Sequence, residues 1–137
     1  MKTHHIDPTL LTPSSPFSHI VLDDYYAYVA GRVAADIPGG ETVLGDVRAE
    51  TRLVLESIAF TLAAHGLDMD TIVRVDVHLV DIDEIGTMDE IYAEFFATGG
   101  FPARTCTQST KLFGGSRVEI TCVAQRPTES GSPFDDR

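Results

Sequence analysis

Arg104 is the residue of this sequence best placed to bind a small anionic ligand. It ends the segment Phe101-Pro102-Ala103-Arg104, which opens a stretch rich in threonine and serine. Proline cannot donate to a sheet ladder, so it is typical of a strand start. An arginine held there by a fixed backbone can bind a carboxylate through two parallel hydrogen bonds. An arginine in this position is more often a surface or salt-bridge residue, so the segment alone leaves both interpretations open.

Glu119 is the candidate proton-transfer group. It interrupts an otherwise apolar segment, VEITCVA, at residues 118–124. A carboxyl group beside an apolar wall can serve as a general acid or base. The alternative interpretation is a polar residue on the solvent side of an amphipathic strand.

Nucleophilic and metal chemistry have weaker support. Cys106 shares a strand face with Arg104, but no histidine is near it in sequence, and buried free cysteines are usually packing residues. The five histidines show no metal-ligand spacing beyond the adjacent His4 and His5. We therefore expect no metal site.

The composition is that of one globular domain. Of the 137 residues, 43% are hydrophobic and 23% are charged. The net charge of −11 repels phosphate backbones and anionic membranes, so we expect neither nucleic acid nor membrane as a partner. No apolar run approaches the ~20 residues of a membrane span. The start of the chain lacks a secretory pattern, and Cys106 and Cys122 make no disulfide framework, so the expected location is cytoplasmic.

The elements that must position these residues are predicted in the order β-β-α-β-α-β-β. Residues 1–16, with three prolines, are predicted as an extended arm. The apolar periodicities predict strands at 17–22, 25–30, 72–80, 104–112 and 117–125, and helices from the cap Asp46 to Gly66 and over about 83–96, before Gly99-Gly100. Val73, Val75, Val77 and Leu79 are predicted to face the core. The domain is expected to span 1–126, followed by a disordered tail at 127–137.

The predicted pairing separates the two candidate groups. Gly114-Gly115 predicts a hairpin between the last two strands, with Arg104 opposite Gln125. Arg104 and Glu119 would then lie about 20 Å apart, so they could share a small substrate only across a subunit interface. Two helices cover only one face of such a sheet, and apolar residues occur on both sides of its strands. We therefore expect oligomerisation.

At this point the motifs resemble those of the RidA family (also called YjgF, or endoribonuclease L-PSP). FPARTCTQSTKL and RVEITCVA resemble its C-terminal signature, with weaker similarity in SPFSHI, YVAGRV and IYAEFF. These segments run in order from Pro16 to Gln125. The resemblance implies an α+β, chorismate-mutase-like fold and a homotrimer with clefts between subunits. Phe17 and the IYAEFF segment look closer to the aminoacrylate-deaminase branch than to the housekeeping branch.

The resemblance also implies an activity, the hydrolysis of reactive enamines and imines to 2-oxo acids and ammonia without a cofactor. Arg104 would hold the substrate carboxylate, and Glu119 of a neighbouring chain would activate water. The backbone at Gly31 and Cys106 would bind the polar end of the substrate, and Phe17 would wall the pocket.

Four positions depart from the family pattern. Phe17 replaces a tyrosine, Ala30 a serine, Arg32 a glutamine and Asp89 an asparagine; Arg32 and Asp89 complete the predicted substrate-binding set. A non-catalytic member that senses a small carboxylate is the alternative function. The endoribonuclease reading is disfavoured by the acidic charge and by the lack of a basic, aromatic surface.

Overall fold

The computed structural model describes residues 1–96 and 100–127. The predicted tail lies outside the described residues from residue 128 onward, as does Gly99. The described chain forms β1 (Thr3–His5), β2 (Ile20–Leu22), β3 (Tyr26–Arg32), α1 (Val47–Ala63), β4 (Ile72–Leu79), α2 (Ile85–Glu94), β5 (Ala103–Gln108) and β6 (Val118–Gln125). Within these residues, no helix combines the length and apolarity needed to cross a membrane.

The strands form one mixed sheet in the order β1-β2-β3-β6-β4-β5. β5 runs parallel to β4, and the other neighbouring pairs are antiparallel. Alternate residues of the adjacent strands β4 and β6 are buried towards the helices, as period-two patterning requires: Val75, Val77, Leu79, Val118, Ile120, Cys122 and Ala124. The α+β class is confirmed, with both helices on one face of the sheet.

The predicted hairpin between the last two strands is wrong, because β4 lies between β5 and β6. The connection passes over the end of β4: Ser109 N–H donates to the Leu79 carbonyl, and Val80 N–H donates to the Arg117 carbonyl. Gly114 does turn the chain, with φ of 67°. The turn was correctly located, but a turn residue does not specify which strand comes to lie between the segments it joins.

The N-terminal arm, predicted as extended, contains a strand that was not predicted. Thr3–His5 forms a strand that pairs with Ile20–Leu22, and the segment THH carries no apolar alternation that would have marked it. Further along the arm, Leu10 is buried and Leu11 N–H donates to the Asp36 carbonyl. The arm therefore packs along the edge of the domain.

Two carboxylates fix the ends of the elements that approach the site. Asp46 caps α1 as predicted, with its Oδ1 accepting from Ala49 N–H at 3.1 Å. Glu50, fully buried on α1, accepts from Gly45 N–H at 2.7 Å and from Arg117 N–H at 2.8 Å. The second bond holds the residue that precedes β6, two positions before Glu119.

Within residues 1–96 and 100–127, the second face of the sheet carries no helix. Tyr28 and Val73 are each 41% exposed there, and Val123 is half-buried. Val73 was predicted to face the core; an irregularity in pairing between Ile72 and Arg74 turns it outward instead. We call this surface the open face.

Candidate active site

Glu119 lies on the open face of β6 and lines a cleft of about 560 Å³. Its neighbours in the strand, Val118 and Ile120, are buried on the helix side, so the alternation of β6 directs Glu119 the other way. Residues 11–15 of the arm form part of the cleft wall, and Thr121 lies beside Glu119 in the lining. The arm, β3 and β6 thus enclose the carboxylate.

Gly31 makes room for the Glu119 carboxylate. The pairing of β3 with β6 shifts by one residue between Val29 and Arg32, which is a bulge of the kind found beside functional sites. A Cβ atom on Gly31 would lie 3.0 Å from both Cδ and Oε2 of Glu119 and 3.1 Å from Thr121 Oγ1. Glycine at this position therefore permits close approach of the carboxylate to the β3 backbone.

Phe17 lines the same cleft and is 43% exposed. Its ring lies edge-on to His19, with 5.7 Å between the ring centroids. Phe17, Gly31 and Glu119, three of the residues predicted for the site, are thus together. We call this group the Glu119 half-site.

Arg104 lies in a second, smaller cleft of about 330 Å³, together with Tyr92, Phe101 and Pro102. Its NH1 donates to Asp89 Oδ1 at 2.7 Å, and its guanidinium carbon lies 4.8 Å from the centroid of the Tyr92 ring. Burial, the largest single cause, lowers the pKa of Arg104, but the hydrogen bond to Asp89 and the charge of Asp89, with smaller contributions from Tyr92 and Cys106, together raise the pKa overall. Arg104 therefore remains a cation.

Tyr92 supplies a neutral aromatic surface beneath this cation. The side chain is buried, and burial raises its pKa to about 12, so the phenol is not ionised at neutral pH. Sequence reasoning assigned Tyr92 only to the apolar side of the second helix. Its spacing of three residues from Asp89, one helical turn, was the available signal.

Cys106 lies on the same side of β5 as Arg104, because Val75 and Val77, their partners in β4, are both buried. Burial raises the pKa of the half-buried Cys106 thiol. A thiol with a raised pKa is a poor nucleophile at neutral pH. We call Arg104, Asp89, Tyr92 and Cys106 the Arg104 half-site.

Arg32 was predicted to belong to the substrate-binding set, and its side chain lies in the core rather than in either cleft. The side chain is 2% exposed and points into the domain, where its NH1 donates to Thr61 Oγ1 at 2.7 Å. The Thr61 hydroxyl in turn donates to Asp7 Oδ2. Arg32 thus joins α1 to the arm through a buried polar network and lines neither cleft.

The two half-sites lie on opposite faces of the sheet within one chain. Arg104 pairs with Val75 of β4, whereas Glu119 pairs with His78, on the other face. The two residues are about 10 Å apart along the strands and about 10 Å apart across them. One small molecule therefore cannot touch both side chains of a single chain.

Metal binding finds no support in the described parts of the chain, 1–96 and 100–127. Nowhere in them do three or more His, Cys, Asp or Glu side chains converge in a way that could hold a metal ion. What the two half-sites offer is a fixed cation and a carboxylate beside a cleft.

The family model described as Endoribonuclease L-PSP matches residues 9–126. A 2-iminobutanoate/2-iminopropanoate deaminase from Homo sapiens is 37% identical over 118 residues, which is 85% of each chain. A RutC family protein from Pyrococcus horikoshii is 32% identical, over 83% of this chain and 90% of that one. The crystal structure of YyfA, a Rid family protein of unknown function from Yersinia pestis, superimposes with a TM-score of 0.85 at 26% identity, over 92% of this chain and 100% of that one. The chain belongs to the Endoribonuclease L-PSP family, the RidA/YjgF family that its motifs indicated.

Proposed function

We propose that this protein is an enzyme that hydrolyses small reactive enamines and imines, of the 2-aminoacrylate and 2-iminopropanoate type, to 2-oxo acids and ammonia. The observation that carries the proposal is the pair of half-sites, a fixed guanidinium and a carboxylate beside a glycine backbone. Relatives named 2-iminobutanoate/2-iminopropanoate deaminase support it, at 35–38% identity over most of their length.

The active site in this proposal is shared between subunits of a homotrimer. Arg104 and Glu119 cannot meet one small substrate within a chain, so Arg104 of one subunit is completed by Glu119 of the next. The open face supports association, because it leaves Tyr28 and Val73 exposed and no helix of the described part of the chain covers it. Three chains of 14.9 kDa give an assembly of about 45 kDa.

Each residue has a defined part in the proposed reaction. Arg104 binds the substrate carboxylate, and the backbone at Gly31 and Cys106 binds its polar end beside Phe17. Protonation of the enamine at its terminal carbon by a proton from solvent gives the protonated imine. Glu119 takes a proton from water as the oxygen attacks the imine carbon, and Glu119 then passes this proton to nitrogen. As the carbon–nitrogen bond breaks, the new hydroxyl group loses its proton to solvent and becomes the carbonyl, which releases ammonia and leaves the 2-oxo acid, so that one water is consumed for each ammonia formed.

The test generates 2-iminopropanoate in situ with a pyridoxal-phosphate lyase and follows 2-oxo acid release above the rate in buffer. Glu119→Gln keeps the shape but removes the base, so we expect turnover to fall by at least about 10²-fold with oxo acid binding little changed. Arg104→Lys keeps the charge but loses the planar fork, so binding should weaken by roughly tenfold or more.

Two results contradict the proposal. Wild-type protein that binds oxo acids but does not accelerate imine hydrolysis is instead a carboxylate sensor, the alternative function. Light scattering that gives the mass of a single chain for active protein removes the shared site. Arg48→Lys serves as the control for Arg104→Lys, because Arg48 pairs with Glu90 on the surface, with both side chains more than half exposed.

A further inference from the structure

Asp89 is directed at Arg104 rather than left free for a ligand. Its carboxylate forms the 2.7 Å ion pair with Arg104, whose side chain is only 23% exposed, while Asp89 itself is 46% exposed. We propose that Asp89 is a positioning residue that orients Arg104 and makes the carboxylate site favour zwitterions over anions. The proposal rests on the proposed function in one respect, that Arg104 receives the substrate carboxylate.

The positioning part follows from the helix that carries Asp89. Asp89 and Tyr92 are three residues apart on α2 and therefore lie on the same helix face. The Asp89 carboxylate holds NH1 of Arg104, and the Tyr92 ring lies against the guanidinium carbon. A guanidinium has five N–H donors, so a single bond to Asp89 orients the fork without using up its capacity for a second carboxylate.

The selective part follows from charge. With Asp89 in contact, the Arg104 site is close to neutral rather than cationic. A ligand carboxylate bound to the same guanidinium would lie roughly 5–6 Å from the Asp89 carboxylate, within the ~8 Å Debye length of physiological salt. A monoanion therefore meets a repulsion that solvent only partly screens. A ligand with a cationic nitrogen next to its carboxylate has no net charge, so the same repulsion is largely offset.

This distinction separates substrate from product in the proposed reaction. The protonated imine carries a cationic nitrogen and a carboxylate, whereas the 2-oxo acid keeps only the carboxylate. Asp89 thereby weakens retention of the product more than binding of the substrate. An asparagine would orient Arg104 through its amide oxygen but would supply no such discrimination.

The test is calorimetric titration of the full-length protein with pyruvate, a monoanion, and with L-serine, a zwitterion. Asp89→Asn should tighten pyruvate binding roughly three- to tenfold and serine binding less than about twofold, with the pyruvate gain shrinking as salt rises. Asp89→Ala removes both the negative charge and the acceptor that orients Arg104, so it should tighten pyruvate binding less than Asp89→Asn does. Thermal melts establish that the variants are folded.

Glu90→Gln is the matched control. It removes one negative charge from the neighbouring position of the same helix, where Glu90 pairs with Arg48 instead. The control should leave both affinities unchanged. If Glu90→Gln tightens pyruvate binding as much as Asp89→Asn does, or if Asp89→Asn tightens pyruvate and serine binding equally, the proposal that Asp89 favours zwitterions over anions is wrong. If Asp89→Ala tightens pyruvate binding as much as Asp89→Asn does, the proposal that Asp89 orients Arg104 is wrong. Failure of the wild type to bind either ligand removes the carboxylate role of Arg104, and with it the proposed function.

Discussion

Replacing Gly31 with alanine tests whether the Glu119 half-site depends on close approach of the carboxylate to the β3 backbone. The new Cβ would lie 3.0 Å from both Cδ and Oε2 of Glu119. Ordinary contacts between carbon atoms are about 3.5–4.0 Å, so the carboxylate must move by roughly 0.5–1 Å. A misplacement of about 1 Å at a reacting group can cost on the order of 10²-fold in rate. We therefore expect imine turnover to fall about 10- to 100-fold.

The assay is the same coupled measurement of 2-oxo acid release, with oxo acid affinity measured in parallel. Affinity should stay within roughly threefold, because the carboxylate end is held by Arg104. Gly86→Ala is the control, since no described residue beyond its chain neighbours and its own helix backbone lies within 4 Å of a Cβ there; it should keep full turnover and stabilise α2 by up to about 1 kcal/mol. Wild-type turnover in Gly31→Ala, or an equal loss in Gly86→Ala, would refute the reasoning.

Two further predictions concern the buried network behind the Glu119 half-site. Thr61→Val removes the hydroxyl that links Arg32 to Asp7, and should lower the free energy of unfolding by about 2–3 kcal/mol, or Tm by roughly 6–12 °C. Ser57→Ala is the control, because it removes only a 3.3 Å contact to Arg32 and should lower Tm less. Equal losses of Tm in the two variants would contradict the bridging role of Thr61. Burial, and then the charge of Arg32, lower the pKa of His19, whose Nδ1 accepts from Asp7 N–H at 2.8 Å. As pH falls through about 6.5, the unfolded chain therefore binds a proton at His19 more readily than the folded chain does, so Tm should drop from pH 7 to pH 5. The drop should be smaller in His19→Asn, which keeps a hydrogen-bond acceptor. An identical pH profile of Tm in that variant would show that His19 is not its cause.

The local elements were predictable from sequence because each carries its own signal. The cap at Asp46 and the stop at Gly66, which has φ of 76°, marked α1 at both ends. Alternating valines marked β4 almost to its observed bounds. The strand at Thr3–His5 was not predicted, because it is short, polar and at the sheet edge. Its stability comes from pairing with β2, which no pattern within the segment reveals.

The sequence indicated which residues are candidates for the site, but it did not indicate which residues surround them in the fold. Arg104 and Glu119 stand out from their strands as charges in apolar or strand-forming segments. Arg32 is charged as well, yet it lies in the core, because hydroxyls on α1 and the carboxylate of Asp7 compensate its burial. Ser57 and Thr61 lie 25 and 29 residues after Arg32, and Asp7 lies 25 residues before it, so no local spacing pattern connects these partners to Arg32. The same applies to the ion pair between Arg104 and Asp89, which lie 15 residues apart.

The proposal of a shared site does not depend on the predicted strand pairing, because it rests on the sheet faces that carry the two residues rather than on the distance between them. The hairpin placed Arg104 and Glu119 far apart along two adjacent strands. In the structure β4 separates their strands and brings the residues nearer along the sheet, which would have favoured a site within one chain. Arg104, however, pairs with Val75 on the face the helices cover, and Glu119 pairs with His78 on the open face. A small substrate cannot span the sheet, so the proposed reaction takes the Glu119 carboxylate from a second subunit, on the side where Arg104 lies.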